Sequence, residues 1–169
     1  MTLEQPLAVR PPRNLAEAAE AHLDDVLGYL LYLTRDREAA EDLASSTFEK
    51  AVRLWARFDP SRGTARTWLL GIARTTALDW FRAESRRRRR EEAAALPERV
   101  DEAFVEGLSP ELEAGLSSLS AGEREVLVLR IVLELDGDAT ARVLGISPTA
   151  VSTRLSRALK RLEERVNEG

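Results

Sequence analysis

The sequence predicts an all-α fold made of two small helical domains joined by a flexible linker. Three observations lead there. The 169 residues are 44% hydrophobic and dominated by Ala, Leu, Arg and Glu, with only nine Gly and seven Pro, a mixture that favours helix over strand. Apolar residues recur at helical spacing along most of the chain. Ser109-Pro110, Ser120-Ala-Gly-Glu123 and Ser147-Pro148 are helix-start signatures that divide the second half.

Residues 1–14 carry Pro6, Pro11 and Pro12 and are expected to be disordered. A first helix is expected from about 15 to 33, broken by Thr34-Arg35-Asp36. A second runs from about 37 to 57. It buries Ala40, Leu43, Ala44, Thr47, Phe48, Ala51, Trp55 and Phe58, and shows Glu41, Asp42, Ser45, Glu49 and Arg53 on its other face. Asp59-Pro60-Ser61-Arg62-Gly63 reads as a turn. A third helix, about 64 to 84, faces Leu69, Ile72, Ala73, Thr76 and Trp80 inward and runs out into five consecutive arginines, 86–90. The chain thus divides into a terminus (1–14), a first module (15–90), an acidic linker (91–108) and a second module (109–169). Six acids against Arg99 make 91–108 acidic.

The second module opens at Ser109-Pro110. Ser120 to Glu123 forms a capping box before a helix bearing Val126, Leu127, Leu129 and Ile131. Leu135-Asp136-Gly137-Asp138 reads as a turn. Residues 139–160 then form a helix-turn-helix, with Gly145 supplying the turn's backbone angle. At 100° per residue, Val151, Leu155, Ala158, Leu159, Leu162 and Val166 share one stripe. The opposite face carries Thr149, Ala150, Thr153, Arg157 and Lys160, flanked by Arg154, Ser156 and Arg161. Arginine can pair bidentately with guanine, and hydroxyls can bond bases or phosphates. A generic helix pair with a solvated face is the plainer reading of the same stretch.

The net charge is −4, but distribution outweighs the sum for a nucleic-acid partner. Positive charge gathers in 82–90 and in the last helix. The absence of Cys and a single His argue against disulfides, thiolate or His metal sites and a Ser-His nucleophile. No cofactor is expected, and no Gly-rich phosphate loop or other catalytic constellation is found, so an enzyme is not expected. No apolar run approaches a membrane span, and residues 1–14 do not form a signal peptide; a soluble, cytoplasmic protein is the expectation.

Two stretches of the first module, AEDLASSTFEKAVRLW and TWLLGIARTTALDWFR, resemble region two of the extracytoplasmic-function (ECF) group of the bacterial sigma-70 family. The family form there is A-E-D-L-x-Q-x-x-F, then T-W-L-x-x-I-A-x-N-x-x-x-D-x-x-R. LSAGEREVLVLR and LGISPTAVSTRLSRAL resemble region four, usually L-P-x-x-x-R-x-V-L-x-L and L-G-x-S-x-x-T-V-x-x-R-L-x-R-A-R. The resemblance covers about 18–90 and 108–163, with both modules in the family order. It implies a protein without catalysis that binds core RNA polymerase through the β′ and β subunits. Such a protein directs polymerase to promoters and helps open the duplex. It also implies promoter DNA, both duplex and single-stranded, and an anti-sigma factor as partners.

Carried onto matching positions, Glu41, Asp42, Leu43 and Phe48 fall on the helix that docks on the β′ coiled coil, with Ser45 and Glu49 beside them. For Phe48 a core role competes with docking; for the acids, a solvated face does. Arg62, Arg66, Trp68, Arg74, Thr75 and Arg82 fall in the reader of the downstream (−10) element, with flipped bases entering a pocket under the 58–67 loop. For Trp68 a place in the core competes with base contact and is the favoured reading, as a Trp in a small three-helix module is usually core. Ser147, Pro148, Thr149, Ser152, Thr153, Arg154, Arg157 and Lys160 fall in the reader of the upstream (−35) element. Four positions depart from the pattern. Ser45 replaces Gln, Thr75 replaces Asn, Ala139-Thr140-Ala141 replaces Glu-Ile-Ala, and Gly137 replaces a larger residue. The rival readings are a helix-turn-helix repressor or activator acting without polymerase, and an adaptor that only binds an anti-sigma partner.

Overall fold

The structure, a computed structural model, describes residues 12–91 and 109–167. Among these, every regular element is helical. In order they are α1 (Leu15–Thr34), α2 (Arg37–Leu54) with a 3-10 turn at Trp55–Arg57, and α3 (Ala65–Glu91). The second module holds α4 (Pro110–Ser118), α5 (Ala121–Leu127) with a π-helical continuation at Val128–Val132, α6 (Gly137–Leu144) and α7 (Pro148–Asn167). The expected linker lies outside the described residues except for Glu91, which ends α3. Of the expected disordered terminus only 12–14 are described, and there Asn14 caps α1 by accepting from Glu17 N at 2.9 Å.

Helix boundaries follow local chemistry. Asp36 accepts from Ala39 N at 3.1 Å and starts α2, while Arg35, at φ 54°, closes α1 onto Leu31 O. Ser109 caps α4, with Pro110 at its first position. Both halves of the capping box are present at Ser120 and Glu123. The expected turn at 135–138 is shorter than predicted: Asp136 caps α6 through Ala139 N at 2.7 Å, so Gly137 and Asp138 are already helical. Gly145 sits at φ 64°, and its N–H and that of Ile146 both close on Ala141 O.

Small residues let α1, α2 and α3 approach closely. Ala18, Ala40, Ala51, Ala73 and Ala77 are fully buried, together with Val26, Tyr29, Leu30, Leu69 and Leu70. The second module has a small cluster of its own, Leu119, Leu127 and Ala158, flanked by Leu116, Leu155 and Leu162. Gly115 lets Leu162 pack closely there, since a Cβ would lie 3.0 Å from Leu162 Cδ2. Val126, Val128, Leu129, Leu133, Leu135, Ala141, Val143, Leu144 and Val151 instead join the core of the first module, forming one continuous apolar cluster. The two modules therefore pack against each other, chiefly α6 on α3.

Several expected core positions are not core. Ile131 is 56% exposed because the helix widens into a π turn, with Leu133 N donating to Val128 O, and the extra residue in that turn shifts the face that follows. Leu159 and Val166 are 47% and 50% exposed. α7 has 20 residues, whereas α4 and α5 have nine and seven, so the shorter helices cannot cover it. Trp80, Trp55, Phe48 and Phe58 are only half-buried against the core.

Thr140 is fully buried and its Oγ1 has no hydrogen-bond partner. An unpaired buried hydroxyl costs on the order of 1–3 kcal/mol. Thr140→Val is therefore expected to raise unfolding stability by about 1 kcal/mol, read from the denaturant midpoint. Leu69→Ala, by emptying the packed face of α3, is expected to lower it by about 2–5 kcal/mol in the same assay.

Candidate nucleic-acid interface

The second helix of the helix-turn-helix is fixed at its start by Ser147, whose Oγ accepts from Ala150 N at 3.1 Å. Val151 and Ala158 are buried, and Leu155 and Leu162 half-buried, which turns the opposite face outward. Pro148, Thr149, Ser152, Thr153, Arg157 and Lys160 are all exposed. Thr153 Oγ1 donates to Thr149 O at 3.0 Å, leaving its lone pairs outward. The cations of α7 divide into two sets. Arg154 lies over the start of α5, its guanidinium 3.3 Å from where a Cβ on Gly122 would sit. Arg161 donates to Glu123 Oε2 at 3.0 Å. Arg157 and Lys160 point away, with Glu164 3.9 Å from Lys160. The Glu123 carboxyl is held below the usual carboxylate range, first by the backbone N–H of Ser120, then by the Ser120 hydroxyl and by Arg161 and Arg157.

The loop before α3 is ordered by side-chain bonds. Asp59 Oδ1 accepts from the backbone N and the hydroxyl of Ser61, at 2.9 and 2.7 Å. Thr64 Oγ1 accepts from Thr67 N at 3.2 Å and starts the helix. Trp68 packs on Phe58 and Trp55 at centroid distances of 5.4 and 5.7 Å, an aromatic cluster that holds loop to helix. Trp68 is thus a packing residue in this state. Arg62 is exposed at the loop tip, and Thr75 is exposed with its hydroxyl donating to Ile72 O at 2.9 Å.

Arg66 and Arg74 do not face solvent with them. Arg66 Nε donates to Asp25 Oδ2 at 2.6 Å, and its Nη2 donates to the carbonyl of Leu133 at 2.5 Å. Arg74 Nε donates to Glu125 Oε1 at 2.8 Å. The hydroxyl of Tyr29, itself fully buried, donates to that same oxygen at 2.5 Å. Burial, and then Glu125, push the Tyr29 hydroxyl well above its ordinary pKa of 10.0. Sequence reasoning missed Asp25, Tyr29 and Glu125. Their partners lie 41, 96 and 51 positions away along the chain, and no local pattern signals such pairings.

The arginine run is helical, not a loose tail, since α3 continues to Glu91. Successive residues turn by 100°, so Arg86 to Arg90 point all round the axis and form a collar. Arg82 pairs with Asp79 at 3.2 Å, and Glu84 takes Arg87 at 2.6 Å and Arg88 at 3.6 Å. A cavity of about 490 Å³ lies here, lined by Trp80, Phe81 and Glu84 among others. It stands at the far end of α3 from the 58–67 loop, where a base pocket was expected.

On α2, Glu41, Asp42, Ser45 and Glu49 share an exposed face, with Arg37 2.9 Å from Glu41. Ser45 Oγ donates to Glu41 O at 3.2 Å. Leu43 is buried beneath this face and supports it from below. Phe48 packs half-buried against the core.

A helix-turn-helix with an open hydroxyl and arginine face, beside a second helical module ending in an arginine collar, belongs to the class of DNA-reading transcription proteins. The chain matches the family models for Sigma-70 region 2 over residues 18–87 and Sigma-70 region 4 over residues 109–162. It is 33% identical over 163 residues to RNA polymerase sigma factor YlaC of Bacillus subtilis, covering 91% of each chain. It is 32% identical over 160 residues to ECF RNA polymerase sigma factor SigC of Mycobacterium tuberculosis, covering 90% of this chain and 85% of that one. In fold it is similar to the sigma factor RpoE of Bartonella quintana, solved with the anti-sigma factor NepR. That match has a TM-score of 0.74 at 21% identity and covers 92% of this chain and 98% of that one. It is also similar to CnrH solved with the cytosolic domain of CnrY, with a TM-score of 0.65 at 25% identity, covering 91% and 88%. The chain belongs to the ECF RNA polymerase sigma factors.

The lowered pKa of Glu123 sets a pH response. Its ordinary value is 4.5, and the folded value lies below it, so its contribution is complete above about 4.5 and is lost as pH falls through the folded value. Melting temperature is expected to drop over that window, and Glu123→Gln is expected to flatten the drop. Thermal denaturation followed by circular dichroism between pH 3 and 6 checks this.

Proposed function

We propose that this chain binds core RNA polymerase, directs it to particular promoters and promotes opening of the duplex at the start site. The observation that carries the reading is the occurrence of region 2 and region 4 matches in one chain, in that order, on two helical modules. Residues 15–90 form the module for polymerase docking and the downstream element, and 109–169 the module for the upstream element. Core polymerase, through β′ and β, and promoter DNA are its partners. An anti-sigma factor is a further one, in line with the solved relatives held by NepR and CnrY. Among the described residues no helix is long and apolar enough to cross a membrane, which agrees with a cytoplasmic site of action.

The exposed acids Glu41, Asp42 and Glu49 orient the chain on a basic partner helix, an effect felt in on-rate and register. Thr149, Thr153, Arg157 and Lys160 read the upstream element. Arg62, Thr75 and Arg82 contact the downstream strand, joined by Arg66 and Arg74 once these are released from the second module. The arginine collar holds phosphates without sequence preference and with strong salt dependence. Opening costs about 1.4 kcal/mol per stacking step. With no hydrolysis to drive it, the cost is offset by tighter binding of the separated strand.

Reconstituted run-off transcription with core enzyme on a library of promoter fragments tests the reading; no transcript from any fragment would overturn it. In that assay Arg157→Ala is expected to weaken use of the upstream element by about 1–3 kcal/mol. Asp42→Arg is expected to reduce co-purification with core polymerase while leaving the helical circular dichroism signal unchanged.

A further inference from the structure

We propose that the cavity at the outer end of α3 binds a free guanine nucleotide carrying two or three phosphates, with its base on the aromatic side chains and its phosphates on the arginine collar. Such a site goes beyond the promoter-directing role and does not depend on it.

The cavity, of about 490 Å³, falls within the roughly 300–1,000 Å³ of small-molecule sites. Residues four apart lie in rows along a helix, and the rows here run from apolar to cationic. Trp80, Glu84 and Arg88 form one row, and Phe81, Ser85 and Arg89 the next; together they line the cavity. A further hollow of about 370 Å³ opens on the other side of the second row, against Leu78, Arg82 and Arg86. The apolar end lies toward the helix bundle. Trp80 packs half-buried against the core, while Phe81 is 36% exposed and meets Trp80 edge-on at a centroid distance of 5.0 Å. Trp80 and Arg88 are about 12 Å apart along the axis at 1.5 Å per residue, comparable to the reach from a base to the terminal phosphate of a nucleoside diphosphate. Thr34, at the end of α1, forms a wall, its hydroxyl already donating to Leu30 O at 2.9 Å.

Each part of the ligand meets its complement. A base is flat and apolar on its faces and stacks on an aromatic ring. Arg88 is loosely held, 3.6 Å from Glu84, and Arg86 and Arg89 enter no ion pair among the described residues, so their donors are open to phosphate. Glu84 selects the base. Arg87 and Arg88 both approach its Oε1, and a carboxylate has about four lone-pair sites, so it can still accept two adjacent N–H groups. Guanine offers such a pair on one edge, whereas adenine offers an amino group beside an acceptor nitrogen. A DNA strand suits the cavity less well. It carries one phosphate per base along its length, while the cations here stand together beyond the rings. The loop before α3 is also about 30 Å away, measured from Ala65 to Ser85 along the helix. An anionic lipid needs a long apolar trough, and the apolar lining here is two rings.

Isothermal titration of the full chain with GDP, ADP and inorganic pyrophosphate at moderate salt tests the site. One GDP per chain is expected, with ADP and pyrophosphate each about tenfold weaker or more. Phe81→Ala is expected to weaken GDP about tenfold through lost stacking, and Arg89→Ala about tenfold through a lost charge-assisted hydrogen bond. Glu84→Gln is expected to bring GDP down to the level of ADP, a change of selectivity that loss of one negative charge near a polyanion would not produce. Arg53→Ala, on the exposed face of α2, controls for loss of one positive charge and should match wild type. Circular dichroism checks that each variant folds. Phe81→Leu, which keeps apolar bulk without the ring, serves if Phe81→Ala does not. A labelled single-stranded 15-mer and vesicles of phosphatidylglycerol and phosphatidylcholine are titrated alongside. The site is overturned if GDP does not bind wild type, or if Phe81→Ala and Arg89→Ala leave its affinity unchanged. It is overturned equally if pyrophosphate alone matches GDP, since no base is then held. Binding of the 15-mer or the vesicles that depends on Phe81, without binding of GDP, would give the cavity to a DNA strand or to a membrane and end the nucleotide assignment.

Discussion

One carboxylate sets how the two halves of this molecule meet. Glu125 projects from α5 into the first module and receives both the Tyr29 hydroxyl and the Arg74 guanidinium. A charge pair so shielded from water gains little net stability over an apolar substitute, because desolvation offsets most of its attraction. Its effect is on register. A buried phenol and a half-buried guanidinium share this acceptor, and a seating that kept them buried but displaced the carboxylate would leave them unpaired. The binding energy comes from the surrounding apolar contacts, which are non-directional; the carboxylate selects one arrangement among those they would allow.

α3 serves both halves of this design. Its first half, from Ala65 to Ala77, is buried on a face of small residues and leucines. Beyond Trp80, which still packs half-buried against the core, it becomes a charged rod. α1 has 20 residues and α2 has 18, against 27 in α3, so the last turns have nothing to pack on. Charge repulsion within the collar is moderated by Glu84, which sits three and four residues before Arg87 and Arg88, the spacing at which helical side chains meet. Rigidity matters here, because a helical collar presents its charges at fixed positions where a loose tail would spread them.

α7 combines two roles on one helix. Its buried stripe is narrow, and its cations are shared between holding the module together and facing outward. Arg161 completes the Ser120–Glu123 cap from across the module, tying α7 to the start of α5. Arg157 and Lys160, one turn earlier or beside it, remain on the open side. The outward face of α7 is therefore built on a helix whose start is locked by Ser147 and whose middle is locked by Glu123. Such support suits a surface that must fit a groove without rearranging.

The sequence by itself determined the helices, the caps at Ser109, Ser120 and Ser147, the exposed acidic face of α2 and the face of α7 apart from Leu159 and Val166. Those depend on contacts within four residues, such as Ser120 with Glu123 or Ser147 with Ala150. It also placed the two modules in order, because the motifs that mark them are local strings. Only the tertiary structure decided that Ile131 turns outward, since a π turn adds a residue that a 3.6 period cannot foresee. It alone decided that Arg66 and Arg74 face a second module: both look like free surface cations on a helix wheel, and the oxygens they meet lie dozens of residues away. Periodicity reports which side of a helix is apolar. What covers that side, and which charges become trapped along its edge, depends on how the chain comes back upon itself.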